Sequence, residues 1–385
     1  MLLESLDLGV ETRTLHLIAG LLLGLIFGVA AQISRFCLRR AVAGDVAERG
    51  SAGAVWVTGF AAALIGFAVA QGSGLVDVSG HRFLSSSLPI AAILVGGLAF
   101  GIGMVLTRGC VSRLTVLSGT GNLRAVFVLL AFAITAHATI KGVLAPVRTS
   151  LGSLSIDLPV ASLTEVPFGI PALTAAAIVL ALLLVRKARP NPAHLALGAV
   201  IGLVAVGGWM TTSALLFDDF DPLPIQSAAF TLPWTDSLFW IIASTAIPAG
   251  FGVGFIGGVV TGSFLSASAR GELQLQSFTS GGETLRYVAG GALMGVGGVL
   301  AGGCTVGAGL SGSATGSVAA LLALAAIIVG AKVTTLVARS SQDVPATACP
   351  CERPQRRCVA TAPAHIAKTA TQAVSAKTAP PASPA

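Results

Sequence analysis

The stretch GGALMGVGGVLAGGCTVGAGLSGSATG, from Gly290 to Gly316, decides the fold of this chain. It is a glycine-rich apolar run that stops at a Gly-Cys pair, continues through small polar residues and meets another apolar run. A second stretch, GGLAFGIGMVLTRGCVSRLTVLSGTG, from Gly96 to Gly121, has the same plan. Each stretch predicts a membrane-spanning helix that is interrupted at a Gly-Cys break and followed by a short helix.

The composition around these stretches is that of a membrane protein. Of the 385 residues, 54% are hydrophobic and 10% are charged, whereas soluble domains carry about a quarter charged residues. A helix needs about 20 apolar residues to cross a bilayer. Nine runs meet this length, near 14–34, 51–71, 88–107, 124–145, 168–186, 194–216, 237–260, 284–301 and 316–336. We therefore predict an all-α integral membrane protein with about nine transmembrane helices plus short broken or re-entrant helices.

The basic residues alternate between the predicted loops. Most of them follow spans 1, 3, 5, 7 and 9, whereas the loops after spans 2, 4, 6 and 8 carry only Arg82, Lys141 and Arg148. Since Lys and Arg are retained on the cytoplasmic side, this pattern predicts an N-terminus outside and a C-terminus in the cytoplasm. The net charge of +7 is explained by this topology, so membrane lipid is the expected surrounding and no nucleic-acid partner is expected.

The two Gly-Cys stretches predict an internal repeat within a transmembrane domain of residues 1–339. The half-repeats cover about 14–145 and 194–336 and are linked by the span near 168–186. Five crossings separate the two breaks, and an odd number places them on opposite faces, which is an inverted repeat. Irregular backbone at membrane depth is tolerated where it is buried or lines a polar cavity. We expect the two breaks to converge near the midplane and to aim helix N-termini, which favour anions, at one point. Close helix packing is the alternative role for the glycines.

A cysteine lies at the end of three of the predicted spans. Cys110 and Cys304 end the two glycine-rich spans, and Cys37, in SRFCLRR, lies where span 1 gives way to a basic loop. A lone buried cysteine usually acts as a small apolar residue, but three at span ends indicate a shared role.

Two polar segments lie outside this framework. Residues 340–385 lack aromatic residues and are rich in Ala, Pro, Thr and Lys, which predicts a disordered cytoplasmic tail. Its sequence CPCERPQRRC leaves soft-metal binding, sulfur acceptance and incidental cysteines all open; these cysteines are Cys349, Cys351 and Cys358. An acidic run is expected to be a solvated outer loop; it comprises Asp218, Asp219 and Asp221.

The contexts SRFCLRRA, GMVLTRGCVS and GGALMGVGGVLAGGCTVGAGLSG resemble the signatures of the YeeE/YedE sulphur-transport family, the thiosulfate transporter group. The resemblance covers roughly residues 14 to 336. It implies an inverted-repeat helical protein of the inner membrane whose cysteines hand a thiosulfate-type anion along a narrow central pathway. The transport residues that it implies are Cys37, Cys110 and Cys304, with Gly109, Gly303, Thr305 and Arg108 beside them.

Two positions depart from the family pattern. Family members often have a glycine where this chain has Arg113, and a histidine near the position of Ala308. The departures leave the sulphur or selenium species open.

The predicted function is a permease for thiosulfate or a related sulphur-containing anion. Thiol S–H groups are weak donors, so they can contact a soft terminal sulfur without trapping it. We expect no enzyme activity, cofactor, metal site or catalytic residue in this chain. The alternative is a membrane thiol oxidoreductase or sulfurtransferase that uses the same cysteines, for which a pair of thiols on one face would be required. The basic loops and tail also allow docking of a cytoplasmic sulfur-carrier protein.

Overall fold

The computed structural model describes residues 11–78, 80–217, 223–278 and 280–340. The α-helices in these ranges are α1 (Thr12–Ser34), α2 (Leu38–Ala43), α3 (Val46–Gly72), α4 (Ile90–Leu106), α5 (Val111–Gly119), α6 (Leu123–Lys141), α7 (Ala145–Gly152), α8 (Gly169–Ala188), α9 (Pro192–Met210), α10 (Thr231–Ile242), α11 (Phe251–Ala269), α12 (Gly281–Leu300) and α13 (Val318–Ser340). Two short strands, β1 (Ser87–Leu88) and β2 (Ile156–Asp157), pair antiparallel. The predicted acidic loop and the tail cysteines lie outside the described residues.

Within the described part of the chain, eight helical segments are long and apolar enough to cross a membrane. They are Thr12–Ala43, Val46–Gly72, Ile90–Gly119, Leu123–Lys141, Gly169–Ala188, Pro192–Leu215, Phe251–Ala269 and Val318–Ala338. The predicted class, an all-α membrane protein, is confirmed. Helix α12 stands where the eighth span was predicted, but it is not among the eight, since it carries Glu283, Arg286 and seven glycines, which add little hydropathy.

The predicted seventh span, 237–260, is wrong in its position. The chain forms the short helix α10 up to Ile242, leaves helical geometry, and starts α11 only at Phe251. Pro248 and Gly250 lie in the gap. Proline has no N–H and restricts the residue before it, so a continuous helix cannot form there. The crossing is made by α11, and α10 is one of the short broken helices.

Glycine faces bring the longest helix pair together. A Cβ atom on any of six glycines would collide with the backbone of the facing helix; they are Gly20, Gly24 and Gly28 on α1 and Gly254, Gly258 and Gly262 on α11. Spacing by four residues places each set on one helix face. Small residues at such positions let backbones in a membrane approach closely. Close packing is therefore the role of these six glycines.

The remaining packing places two helix groups side by side. α1 packs along α11, α3 along α9, and α1 also contacts α9. In the second group α4 contacts both α12 and α13, and α6 contacts α12. Helix α8 packs against α3, and only 11% of its span is buried. The cysteine breaks lie where α1 and α4 end and directly after α12.

Candidate transport pathway

The three cysteine breaks share one backbone conformation. The residue two places before each cysteine is left-handed, with φ of 52° at Arg35, 56° at Arg108 and 79° at Gly302. A left-handed residue ends a helix and redirects the chain. Glycine adopts this conformation freely, whereas a non-glycine residue there costs about 1–3 kcal/mol and is held by its surroundings. Each break therefore ends a long helix and aims a short segment in a new direction.

Each cysteine then stands at the beginning of a short helical segment. Cys37 is the N-cap residue of α2 and Cys110 is the N-cap residue of α5. Cys304 precedes the π-helical turn Gly307–Gly312, and the N–H of Gly307 donates to its Sγ atom at 3.3 Å. Helix starts present unpaired N–H groups and a partial positive charge. The thiols therefore lie where the backbone favours an anion.

Cys37 and Cys110 form a close pair of thiols, although 73 residues separate them. Their Sγ atoms are 3.6 Å apart, and both residues are buried. The Oγ atom of Ser112 lies 3.2 Å from the Sγ atom of Cys110. No disulfide joins the pair. Two reduced thiols and a hydroxyl thus form one small polar cluster inside an apolar bundle.

Cys304 lies apart from that cluster. It is fully buried, and in the described residues it makes no hydrogen bond to Cys37 or Cys110. Its neighbours Gly303 and Gly307 line a cavity of about 360 Å³, here called the Trp209 cavity. The cysteine is therefore placed directly behind the wall of this cavity.

Polar and aromatic groups meet in the Trp209 cavity. The Nη2 atom of Arg82 donates to the carbonyl oxygen of Gly302 at 2.9 Å, and the Nε1 atom of Trp209 donates to the carbonyl oxygen of Ser311 at 3.1 Å. His81 lies edge-on to Trp209, with ring centroids 4.9 Å apart. Burial, assisted by the charge of Arg82, lowers the pKa of His81 to about 4. His81 is therefore neutral at pH 7, and Arg82 supplies the positive charge of this cavity.

A neighbouring cavity of about 450 Å³ adds two further cations. It is lined by Arg82, Lys141 and Arg148 and shares Thr231 and Gly302 with the Trp209 cavity. These three cations are the basic residues of the sparse loop set identified in the sequence. Sequence spacing did not indicate that they converge, since Arg82 and Arg148 belong to different loops.

A second polar cavity, the Arg113 cavity, lies beside the thiol pair. Its volume is about 410 Å³. Leu117 is its one apolar lining residue in the described chain; the polar ones are Gln32, Arg35, Arg40, Glu48, Arg113, Thr120, Asn122, Glu272, Gln274 and Gln276. Arg113 is three residues beyond Cys110, in the first turn of α5.

Helix α1 shows that these cavities lie at opposite ends of the bundle. His16, near its beginning, lines a small cavity that shares Pro224 and Gln226 with the Trp209 cavity. Gln32, near its end, lines the Arg113 cavity. The sixteen residues between them span about 24 Å at 1.5 Å per residue. The Cys304 break thus adjoins one cavity and the Cys37 and Cys110 breaks adjoin the other, at opposite ends of α1.

The other predicted site residues have different surroundings. The carbonyl oxygen of Gly109 accepts from Thr107 Oγ1 at 2.9 Å. A Cβ atom on Gly303 would lie 2.7 Å from the backbone nitrogen of Ala308, so a larger residue would not fit. Thr305 is buried beside Cys304. Arg108 is exposed and is not among the lining residues of the Arg113 cavity.

The fold and the cysteine breaks together define a multi-pass membrane protein built from broken helices. A family model described as sulphur transport matches residues 33–333, so the chain belongs to the sulphur transport family. The chain is 26% identical over 310 residues to the thiosulfate transporter TsuA of Spirochaeta thermophila, covering 76% of this chain and 90% of that protein. It is 24% identical over 323 residues to the thiosulfate transporter TsuA of Escherichia coli strain K12, covering 76% of this chain and 86% of that protein.

Proposed function

We propose that this chain is an inner-membrane permease for thiosulfate or a related sulphur-containing anion, which passes along a pathway lined by Cys37, Cys110 and Cys304. The observation that carries the proposal is the common setting of the three thiols. Each stands two residues after a left-handed residue and at or just before the beginning of a short helical segment, and each break adjoins one of two cavities at opposite ends of α1. The two relatives named as thiosulfate transporters support the choice of substrate.

The helix packing supports an inverted repeat. Pairing α1 with α9, α3 with α11, α4 with α12 and α6 with α13 maps the observed contacts onto one another. The α1–α11 contact becomes the α9–α3 contact, and α4–α13 becomes α12–α6. The contacts α1–α9 and α4–α12 map onto themselves. Such self-consistency is expected of two halves related by a pseudo-two-fold axis in the membrane plane.

Electrostatics determines how the anion enters and leaves. Transfer of an isolated ion into a low-dielectric interior is opposed by tens of kcal/mol. Arg82, Lys141 and Arg148 collect the dianion at the mouth beside Cys304. Helix N-termini then supply fixed partial charges, and the thiols contact its soft terminal sulfur through weak hydrogen bonds. The Arg113 cavity receives the anion at the other end.

The basic loops orient this pathway. The end of α8 carries Arg186, Lys187 and Arg189, and the break after α1 carries Arg39 and Arg40. By the positive-inside rule, we place these segments and the Arg113 cavity in the cytoplasm and the Trp209 cavity outside. A cytoplasmic sulfur-carrier protein would then meet the exit end.

The alternative is a sulfurtransferase, and the 3.6 Å distance between Cys37 and Cys110 favours it. In that reaction one thiolate attacks the outer sulfur of thiosulfate, the S–S bond breaks, and sulfite leaves with the bonding electron pair. The second thiol would then attack the persulfide, which releases hydrogen sulfide and leaves a disulfide that an external dithiol must reduce. Transport alone breaks no bond in the substrate.

Thiosulfate labelled separately on its outer and inner sulfur atoms distinguishes the two functions. For the purified chain in liposomes, we expect both labels to accumulate at a ratio of one, as intact thiosulfate. Liposomes without protein give the background. Separation of the two labels, with sulfite and hydrogen sulfide released in place of intact thiosulfate, would establish the sulfurtransferase and overturn the permease.

A further inference from the structure

The Arg113 cavity contains a guanidinium group that has no counterion among the described residues. The Nη1 atom of Arg113 is buried and has no hydrogen-bond partner, and Arg113 makes no salt bridge to any described residue. A buried donor without a partner is destabilising, and more so when it is charged. A ligand that supplies hydrogen-bond acceptors to this Arg113 donor would explain why it is buried without a protein partner.

The carboxylates of the cavity already have other partners. Glu48 accepts from Arg40 at 2.8 Å, and Glu272 accepts from Arg270 at 3.0 Å and from Gln32 Nε2 at 3.1 Å. Neither carboxylate neutralises Arg113. The lining of the cavity thus has three arginines against two glutamates, and Arg113, in the first turn of α5, is paired with neither glutamate.

Arg113 also lies where an anion leaving the thiol pair would arrive. It follows Cys110 by three residues, and its guanidinium is within electrostatic range of both Cys37 and Cys110. Amide side chains around it add neutral donors, since Asn122, Gln274 and Gln276 line the same cavity. The arrangement combines the unpaired guanidinium of Arg113 with several amide groups and has almost no apolar wall.

We propose that the Arg113 cavity is a binding subsite for tetrahedral sulphur oxyanions, in which Arg113 holds the oxygen-bearing end of the anion. This inference rests on the proposed function, and it adds the residue that receives the substrate beyond the thiols. A planar guanidinium presents paired donors that match two oxygens of a sulfonate or sulfate group, which an ammonium group cannot do. The subsite therefore prefers thiosulfate, sulfate and sulfite over monovalent halides.

Equilibrium binding to the purified full-length chain in detergent tests the subsite. Labelled thiosulfate and labelled sulfate are the probes, and the background is C304A, which removes the thiol beside the Trp209 cavity. Removing a charged hydrogen-bond partner weakens binding by about tenfold to a hundredfold. We expect that loss for R113Q, a smaller loss for R113K, and no change for R186Q, which removes an exposed arginine of α8. Excess chloride should not displace the probes.

If R113Q binds the probes as tightly as C304A alone, or if R113K binds them as tightly as C304A alone, then Arg113 does not form the proposed anion subsite. A melting curve of each variant shows whether it is folded, and R113K keeps the test valid if R113Q is not. The proposed function fails separately: undiminished uptake by C304A in liposomes would refute the thiol pathway, whereas the binding measurement does not depend on uptake.

Discussion

Replacement of Cys110 by alanine is expected to lower thiosulfate uptake to about a tenth or less. Cys110 stands at the N-terminus of α5, and its Sγ atom is 3.6 Å from that of Cys37 and 3.2 Å from Ser112 Oγ. Alanine removes the donor that contacts the anion inside an apolar bundle, and a lost hydrogen bond to a charged group is worth about 1.5–3 kcal/mol. Serine at this position restores a donor, so C110S should retain more uptake than C110A.

Uptake of labelled thiosulfate into cells that depend on this chain for sulfur is the measurement. C358A, in the tail, is the control for loss of a cysteine as such, and the amount of folded protein in membranes normalises each value. C304A is expected to behave as C110A does. Wild-type uptake by either variant would refute the role of the thiols.

Substitution of Gly258 by alanine is expected to destabilise the fold by about 3 kcal/mol or more, the upper range for overpacking. A Cβ atom there would collide with the backbone carbonyl of Leu21 on α1, and a backbone group cannot move aside as a side chain can. The six facing glycines form one continuous contact, so separating the two helices at one point disturbs the others. The share of protein that stays monodisperse after heating in detergent reports the effect.

The neighbouring residue Gly257 is a matched control. A Cβ atom on Gly257 has no atom within 4 Å, and alanine is a better helix former than glycine by about 1 kcal/mol. We therefore expect G257A to equal or exceed the wild type in heat resistance. If G257A and G258A lose the same amount, then helix propensity or lipid contact, not close packing, explains the glycines.

The features of the fold that depend on hydropathy could be predicted from the sequence. Long apolar runs and the two matched Gly-Cys stretches predict an all-helical membrane protein with interrupted helices. The seventh span is predicted across 237–260 because a hydropathy average gives no weight to the helix-breaking effect of Pro248, which lies in the interruption before α11. The sequence of one helix does not show which of its glycines contact a neighbouring helix. Gly257 and Gly258 are adjacent in the sequence, but only Gly258 faces α1.

The site was predictable in its residue types but not in its contacts. The three cysteines and their breaks follow from local motifs, whereas the contact between Cys37 and Cys110 depends on how α2 and α5 meet. Arg108 was chosen for its place beside Gly109 and Cys110, yet its left-handed backbone belongs to the turn and its side chain is exposed. Arg113 lines the cavity because it lies one helical turn beyond the N-cap. The sequence does show that Arg113 follows Cys110 by three residues, and this spacing could have indicated that Arg113 lies close to the thiol.

Reaction of the three thiols with a membrane-impermeant reagent, applied to one face of sealed vesicles at a time, tests the continuous pathway most directly. Peptide mass spectrometry reads each cysteine separately in a variant whose tail cysteines are serine. We expect Cys304 to be modified only from the outer face, Cys37 and Cys110 to be modified only from the cytoplasmic face, and thiosulfate to slow all three reactions. Modification of Cys304 and Cys110 from the same face, or rates that thiosulfate leaves unchanged, would contradict the continuous pathway.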